Sequence, residues 1–273
     1  MDLIVFDLDG TLLNRESRLS DYTRDTLRML GEQGIAYTVA TGRTLHASRD
    51  LLRDNGFALP HVYKNGVVIW NPGDAAYSHR YLLTTYEVRH ILEAFLSRGV
   101  TPFLFTLEPD GRHAVYHPPL QTQEEHRLAR MISSDRGLPV LPAASLPGDA
   151  ELTNISALGP RSAIEAVTAL VADDEHLVAY MGNAIEGNDL YWVDVHHSAG
   201  SKGSAVAVLK EELAVTNVVC FGDSDNDLSM FATADECYAP ANAKEAVRAA
   251  ATTVIGHHDE DGIARFLRER FRL

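Results

Sequence analysis

The stretch "DLIVFDLDGTLLN", residues 2–14, decides how the rest of the chain is read. Leu3 to Phe6 form a short apolar run that reads as a buried strand, and Asp7 and Asp9 follow at once. A turn accounts for one of them, since Asp-Gly is a common turn dipeptide. It does not account for two carboxylates at i and i+2, which on an extended segment point to the same side. Carboxylates held side by side repel, so the pair calls for a positive charge between them and for partners elsewhere in the chain.

The bulk numbers narrow the field. With 273 residues, 45% of them hydrophobic, the chain can bury one large core or two smaller ones. A formal charge of −14 argues against nucleic acid or an anionic membrane as the main partner. No run approaches the ~20 apolar residues of a spanning helix. The acidic Met1-Asp2 start is unlike a secretion leader. Of two cysteines, Cys220 lies in the apolar run Val218–Phe221, so no disulfide framework is expected and the cytoplasm is the expected location.

Outward from the opening strand, strands and helices alternate. The pattern predicts a helix from about Ser20 to Gln33, a strand over Ile35–Ala40, Thr41-Gly42-Arg43, and a helix ending near Gly56. In "VYKNGVVIW" (62–70), Asn65-Gly66 between apolar runs signals a hairpin. Alternation resumes late in the chain. Helices are expected over 202–213, after Asp227, over 243–250 and over 261–271, with strands at 217–221, 236–238 and 253–255. This implies a doubly wound α/β core, a parallel sheet covered on both faces, built from 1–80 and 190–273. Residues 81–189 follow a different rhythm, starting with the capping box Thr84-x-x-Glu87. Helices at 84–98, 121–136 and 162–171 and strands at 102–107, 113–116, 152–158 and 176–182 read as an α+β insertion.

The chemistry collects at the ends of predicted core strands. Asp7 and Asp9 end the first, Thr41 the second, and "FGDSDNDLSM" (221–230), with Asp223, Asp225, Asn226 and Asp227, a third. An open parallel sheet brings its carboxyl ends to one edge, where ligands bind. Asp7, Asp9, Asp223 and Asp227 would form an oxygen-rich cluster suited to a hard cation, with Mg2+ favoured. "DSDND" is no calcium loop, because Leu228 and Ala234 stand where glycine and glutamate belong. Helix capping would explain one of these carboxylates but not three within five positions. Thr41 and Gly42 offer a hydroxyl and an amide suited to phosphate oxygens, though three residues alone read more readily as a strand-to-helix turn. Lys202, in "AGSKGSAV", opens a helix, where the dipole disfavours a cation and an anion would be welcome.

In order and spacing, "DLDGTLL", the Thr of "VATGR", the Lys of "SKGSAV" and "GDSDND" resemble the four motifs of the haloacid dehalogenase-like superfamily. The large insertion between the second and third motifs, and the ending "DEDGIARFL" (259–267), resemble its Cof-type phosphatases. In the insertion the likeness extends to element order, not to residues. The resemblance implies a Rossmann-like core with an inserted cap that selects substrate, and a small phosphorylated metabolite as substrate. It implies Asp7 as nucleophile and Asp9 as acid and base. Mg2+ would be held by Asp7, the Asp9 carbonyl and Asp223, with Asp227 acting through water or on Lys202. Thr41, Gly42, Asn226 and Lys202 would hold the phosphoryl group. Arg43 stands evenly between a substrate contact and a surface arginine. Two competitors remain at this point: a phosphomutase of the same superfamily, and a binding module switched by aspartyl-phosphate. The twelve histidines show no zinc spacing, His196-His197 and His257-His258 being adjacent pairs.

Overall fold

The computed structural model describes residues 2–134, 137–184 and 189–273. They divide into two compact units, one made of Met1–Arg80 and Gly200–Leu273, the other of Tyr81–Ala199.

At the centre of the first unit lies a five-stranded parallel sheet in the order Thr253–Ile255, Glu236–Pro240, Asn217–Phe221, Asp2–Phe6, Ala36–Val39. Asp2–Phe6 pairs with Asn217–Phe221 on one side and with Ala36–Val39 on the other. The chain thus leaves the central strand in one direction and returns in the other, which opens a crevice at its carboxyl end. Alternate residues of the central strand serve opposite faces. Leu3 and Val5 join Val206, Leu209, Cys220, Met230 and Val247 in one core cluster. Phe6 turns the other way, 5.3 Å from Phe221 between ring centroids, and Phe221 lies 5.9 Å from Phe266 of helix Gly262–Phe271. Burial on both faces is why this strand reads as unbroken apolar sequence. A three-stranded antiparallel sheet, His61–Tyr63, Val68–Asn71 and Ala76–Arg80, adjoins the second strand through the bridge from Ala40 to Val62.

The second unit is a six-stranded, mostly antiparallel sheet in the order Leu177–Asn183, Leu190–His197, Glu151–Pro160, Phe103–Leu107, His113–His117, Val140–Pro142. Helices Thr85–Ser97 and Arg161–Val171 bury Ile91, Phe95, Ile164 and Val167 against Leu104, Ile155, Val193 and Val195. The capping box on the first of these helices is present, with Thr84 and Glu87 exchanging hydrogen bonds. On another cluster, Phe103, Phe105 and Val115 pack with Ile132 of helix Gln123–Ser134.

Two expectations need correction. The insertion expected over 81–189 runs further: Leu190–His197 is a strand registered between Leu177–Asn183 and Glu151–Pro160, so the second unit ends ten residues later, at Ala199. The loop expected over 137–150 contains the edge strand Val140–Pro142. The last two residues of the helix expected over 121–136 lie outside the described residues.

Candidate active site

After Phe6 the backbone enters a tight turn. Asp9 (φ −75°, ψ 125°) and Gly10 (φ 76°, ψ −2°) are the central residues of a type II turn, whose third position requires positive φ. Glycine has a second reason to stand there: a Cβ at position 10 would lie 2.6 Å from Asp223 Oδ2. The Asp223 loop packs directly on this turn, and the Thr11 hydroxyl donates to Asp223 Oδ1 at 2.9 Å. The turn also corrects the opening expectation. Asp7 and Asp9 do not share one side of an extended segment: Asp7 is buried, while the Asp9 side chain is 53% exposed and paired with Arg43.

Lys202 is the first residue of helix Lys202–Glu212, which Ser201 caps by accepting from the Ser204 amide. Its ammonium is buried and donates to Asp7 Oδ1 and Asp227 Oδ1, both at 2.6 Å. The conflict with the helix dipole is therefore resolved by two carboxylates. Asp227 does more, since its Oδ2 accepts from the amides of Asp223 (2.8 Å) and Ser224 (2.9 Å) and so shapes the loop. Gly222 makes room for it, as a Cβ there would sit 2.5 Å from the Asp227 side chain. Asp225 points elsewhere, to the exposed Lys244 at 2.6 Å.

The Thr41 loop joins from the other side of the central strand. The Thr41 hydroxyl is buried and accepts from the Arg43 amide at 3.1 Å. Arg43 forks onto Asp9, with Nε to Oδ2 at 2.7 Å and Nη2 to Oδ1 at 2.5 Å. Asn65 lies outside the motifs legible in the sequence. In left-handed conformation (φ 58°), it donates its amide to Thr41 O at 3.0 Å and accepts from Asn226 Nδ2 at 2.8 Å. The Asn-Gly hairpin signal hid this residue, which ties the Thr41 loop to the Asp223–Asp227 loop. Thr11 was likewise hidden, inside the run after Asp9-Gly10.

Asp7, Asp223 and Asp227 can each offer a carboxylate oxygen such that all lie within 4.8 Å of one another. Asp9's carboxylate is outside that group. Burial, and then its neighbours Asp227 and Asp223, push the Asp7 carboxyl well above the usual carboxylate range, with Lys202 opposing. Burial and Asp227 raise Asp223 as well, against the hydrogen bond from Thr11. Burial alone would lower Lys202, but Asp227 and Asp7 outweigh it and keep the ammonium protonated. When ionised, the three carboxylates outweigh the one ammonium by two charges, and two of the three are buried. An all-oxygen donor set with that charge fits a hard divalent cation.

Residues 4–267 match the model of the haloacid dehalogenase-like hydrolases. The chain belongs to this family. The enzyme class that its motifs imply, a phosphatase, goes with that membership. The chain is 26% identical to the pyridoxal phosphate phosphatase YbhA of Escherichia coli (strain K12), over 97% of each chain. It is 24% identical to the 5-amino-6-(5-phospho-D-ribitylamino)uracil phosphatase YitU of Bacillus subtilis (strain 168), over 99% of this chain and 98% of that one. In fold it resembles a haloacid dehalogenase-like hydrolase from B. subtilis, with a TM-score of 0.80 at 24% identity over 98% of this chain and 99% of that one.

Proposed function

We propose that this chain is a Mg2+-dependent phosphatase that hydrolyses a small phosphomonoester through an aspartyl-phosphate on Asp7. The observation that carries the reading is the buried Asp7 carboxylate at the end of the central strand, on the Lys202 ammonium and beside Asp223 and Asp227. Held by Asp7, Asp223 and the Asp9 carbonyl, with Asp227 on Lys202 or acting through water, Mg2+ would neutralise charge on the phosphoryl oxygens. Asp7 attacks phosphorus as the ester P–O bond breaks. Asp9 protonates the departing alkoxide, then takes a proton from the water that attacks the aspartyl-phosphate, regenerating Asp7 and releasing phosphate. Thr41, the Gly42 amide, Asn226 and Lys202 hold the phosphoryl group. Arg43, now on Asp9, is assigned a substrate contact, which frees the acid as substrate binds.

The Tyr81–Ala199 unit is assigned the role of a cap that selects the leaving group. The named relatives act on a phosphorylated cofactor and on a phosphoribityl compound, which supports a sugar phosphate or phosphorylated cofactor here. The buried free thiols Cys220 and Cys237 suit a reducing, cytoplasmic setting. The test is phosphate release from a panel of phosphorylated sugars, cofactors and nucleotides, with Mg2+ or a chelator. Release that needs the metal and falls at least ~10³-fold in Asp7→Asn supports the reading. A stable phosphoprotein without release would point to the binding module, and activity that depends on a bisphosphate would point to the mutase.

A further inference from the structure

We infer that Asn242, seconded by His258, is a positioning residue that sets the turn carrying Asp9; this rests on the proposed role of Asp9 as the acid. Asn242 lies just beyond strand Glu236–Pro240, outside every motif that carries the chemistry. Its side-chain Nδ2 donates to Gly10 O at 2.8 Å, and its Oδ1 accepts from the His258 amide at 3.1 Å. His258 in turn places Nδ1 2.7 Å from Leu13 O. A carbonyl can only accept, so that nitrogen carries the proton. Next to it, Asp259 accepts from the Arg15 amide at 3.1 Å and pairs with the Arg15 guanidinium at 2.6 Å. Residues more than two hundred positions away thus hold Gly10, Leu13 and Arg15 in succession, along the stretch that begins with the Asp9 turn.

That turn needs an external hold. Its carboxylate is bound by Arg43, a contact that must loosen when the acid turns to the leaving group. What then keeps Asp9 in place is its backbone, and the Gly10 carbonyl is the next peptide oxygen along. Asn242 grips it with a primary amide whose other end is itself anchored, so the amide cannot rotate away without losing both bonds. A shift of about 1 Å in a catalytic group can cost on the order of 10²-fold in rate. The loss should fall on the step that needs a proton donor, which separates positioning from general stability.

The experiment compares kcat/KM on 4-nitrophenyl phosphate, whose leaving group departs without a proton, with kcat/KM on the best aliphatic phosphate of the panel. Parent, Asn242→Ala, Asn242→Asp and Asp9→Asn are measured at saturating Mg2+, so that any weaker hold of the Asp9 carbonyl on the cation is made up. Asn242→Asp can still accept from His258 but sets a carboxylate against the Gly10 carbonyl. Both Asn242 variants should lose about 10- to 100-fold on the aliphatic ester and less than about threefold on the aryl ester, in the manner of Asp9→Asn. Equal losses on both esters, through unfolding or otherwise, or no loss, overturn the positioning role. If Asp9→Asn itself leaves the ratio unchanged, the acid assignment fails first, a result distinct from failure at Asn242 alone.

Discussion

Replacing Lys202 with methionine probes the balance of charge on which the site rests. The ammonium is 1% exposed and stands 2.6 Å from both Asp7 and Asp227, themselves 8% and 0% exposed at the side chain. Methionine fills much of the same volume but leaves two buried carboxylates facing each other with no counter-charge. Removing one partner of a buried pair costs about 3–5 kcal/mol. For a unit of this size that is a fall in melting temperature of roughly 6–20 °C. Lys210→Met is the control: Lys210 pairs with Asp235 at 2.8 Å near the surface, 33% and 41% exposed, and should cost no more than about 1 kcal/mol. The sign with pH follows from Asp7. Its carboxyl is already raised, and Lys202 is what opposes the rise, so the variant raises it further. Above the ordinary carboxylate value the native state then binds more protons than the unfolded state, and stability falls as pH rises through that window. The variant's native state keeps the Asp7 proton at pH values where the parent's has lost it, so the deficit measured by thermal or urea melting of metal-free protein should shrink as pH falls through that interval. A Lys202→Met melting point within about 2 °C of the parent, or a deficit that grows on acidification, would mean that the ammonium does not balance these carboxylates.

Adding a divalent cation at about 100 times its dissociation constant should stabilise the parent by about 2.7 kcal/mol at pH 7 in thermal melts, and a chelator should reverse it. Because Asp7 and Asp223 are both raised, the metal-free protein gains from their protonation as pH falls, and the cation's stabilisation should shrink over the same range. Gly66→Ala, at φ 107° with its Cβ 2.1 Å from Ser201 O, should cost at least about 2 kcal/mol in urea melts. Gly34→Ala, also left-handed at φ 71° but with nothing within 4 Å, should cost about 1 kcal/mol. Thr11→Val should raise the Asp223 carboxyl further and weaken cation binding, read by titration calorimetry, because the donor to Asp223 Oδ1 is gone.

The core was legible because its strands are buried on both faces and its helices carry their own punctuation. Asn217–Phe221 and Thr253–Ile255 appear at the expected residues, and Ser20 caps helix Asp21–Glu32 where the pattern begins. The site was legible as residue types at strand ends, since a parallel sheet forces those ends together whatever their separation in sequence. What joins the loops was not. Asn65 looks like a turn residue because it is one, and only the third dimension shows its side chain reaching Asn226. Asp9 was misdirected because strand geometry was extended past Phe6, into a turn whose Gly10 breaks the alternation. In the second unit, Leu190–His197 escaped notice because its role is set by partners on both sides and not by its flanks.

The proposed mechanism stands or falls on covalent phosphorylation of Asp7. The decisive measurement is acid quench followed by peptide mapping of Asp9→Asn during turnover of 4-nitrophenyl phosphate, where on the proposed mechanism the first step would need no acid but hydrolysis of the intermediate would lack its base. A phosphoryl group is expected on the peptide containing Asp7, absent from an Asp7→Asn, Asp9→Asn double variant. Nitrophenol release with no phosphoryl group at Asp7 would contradict it.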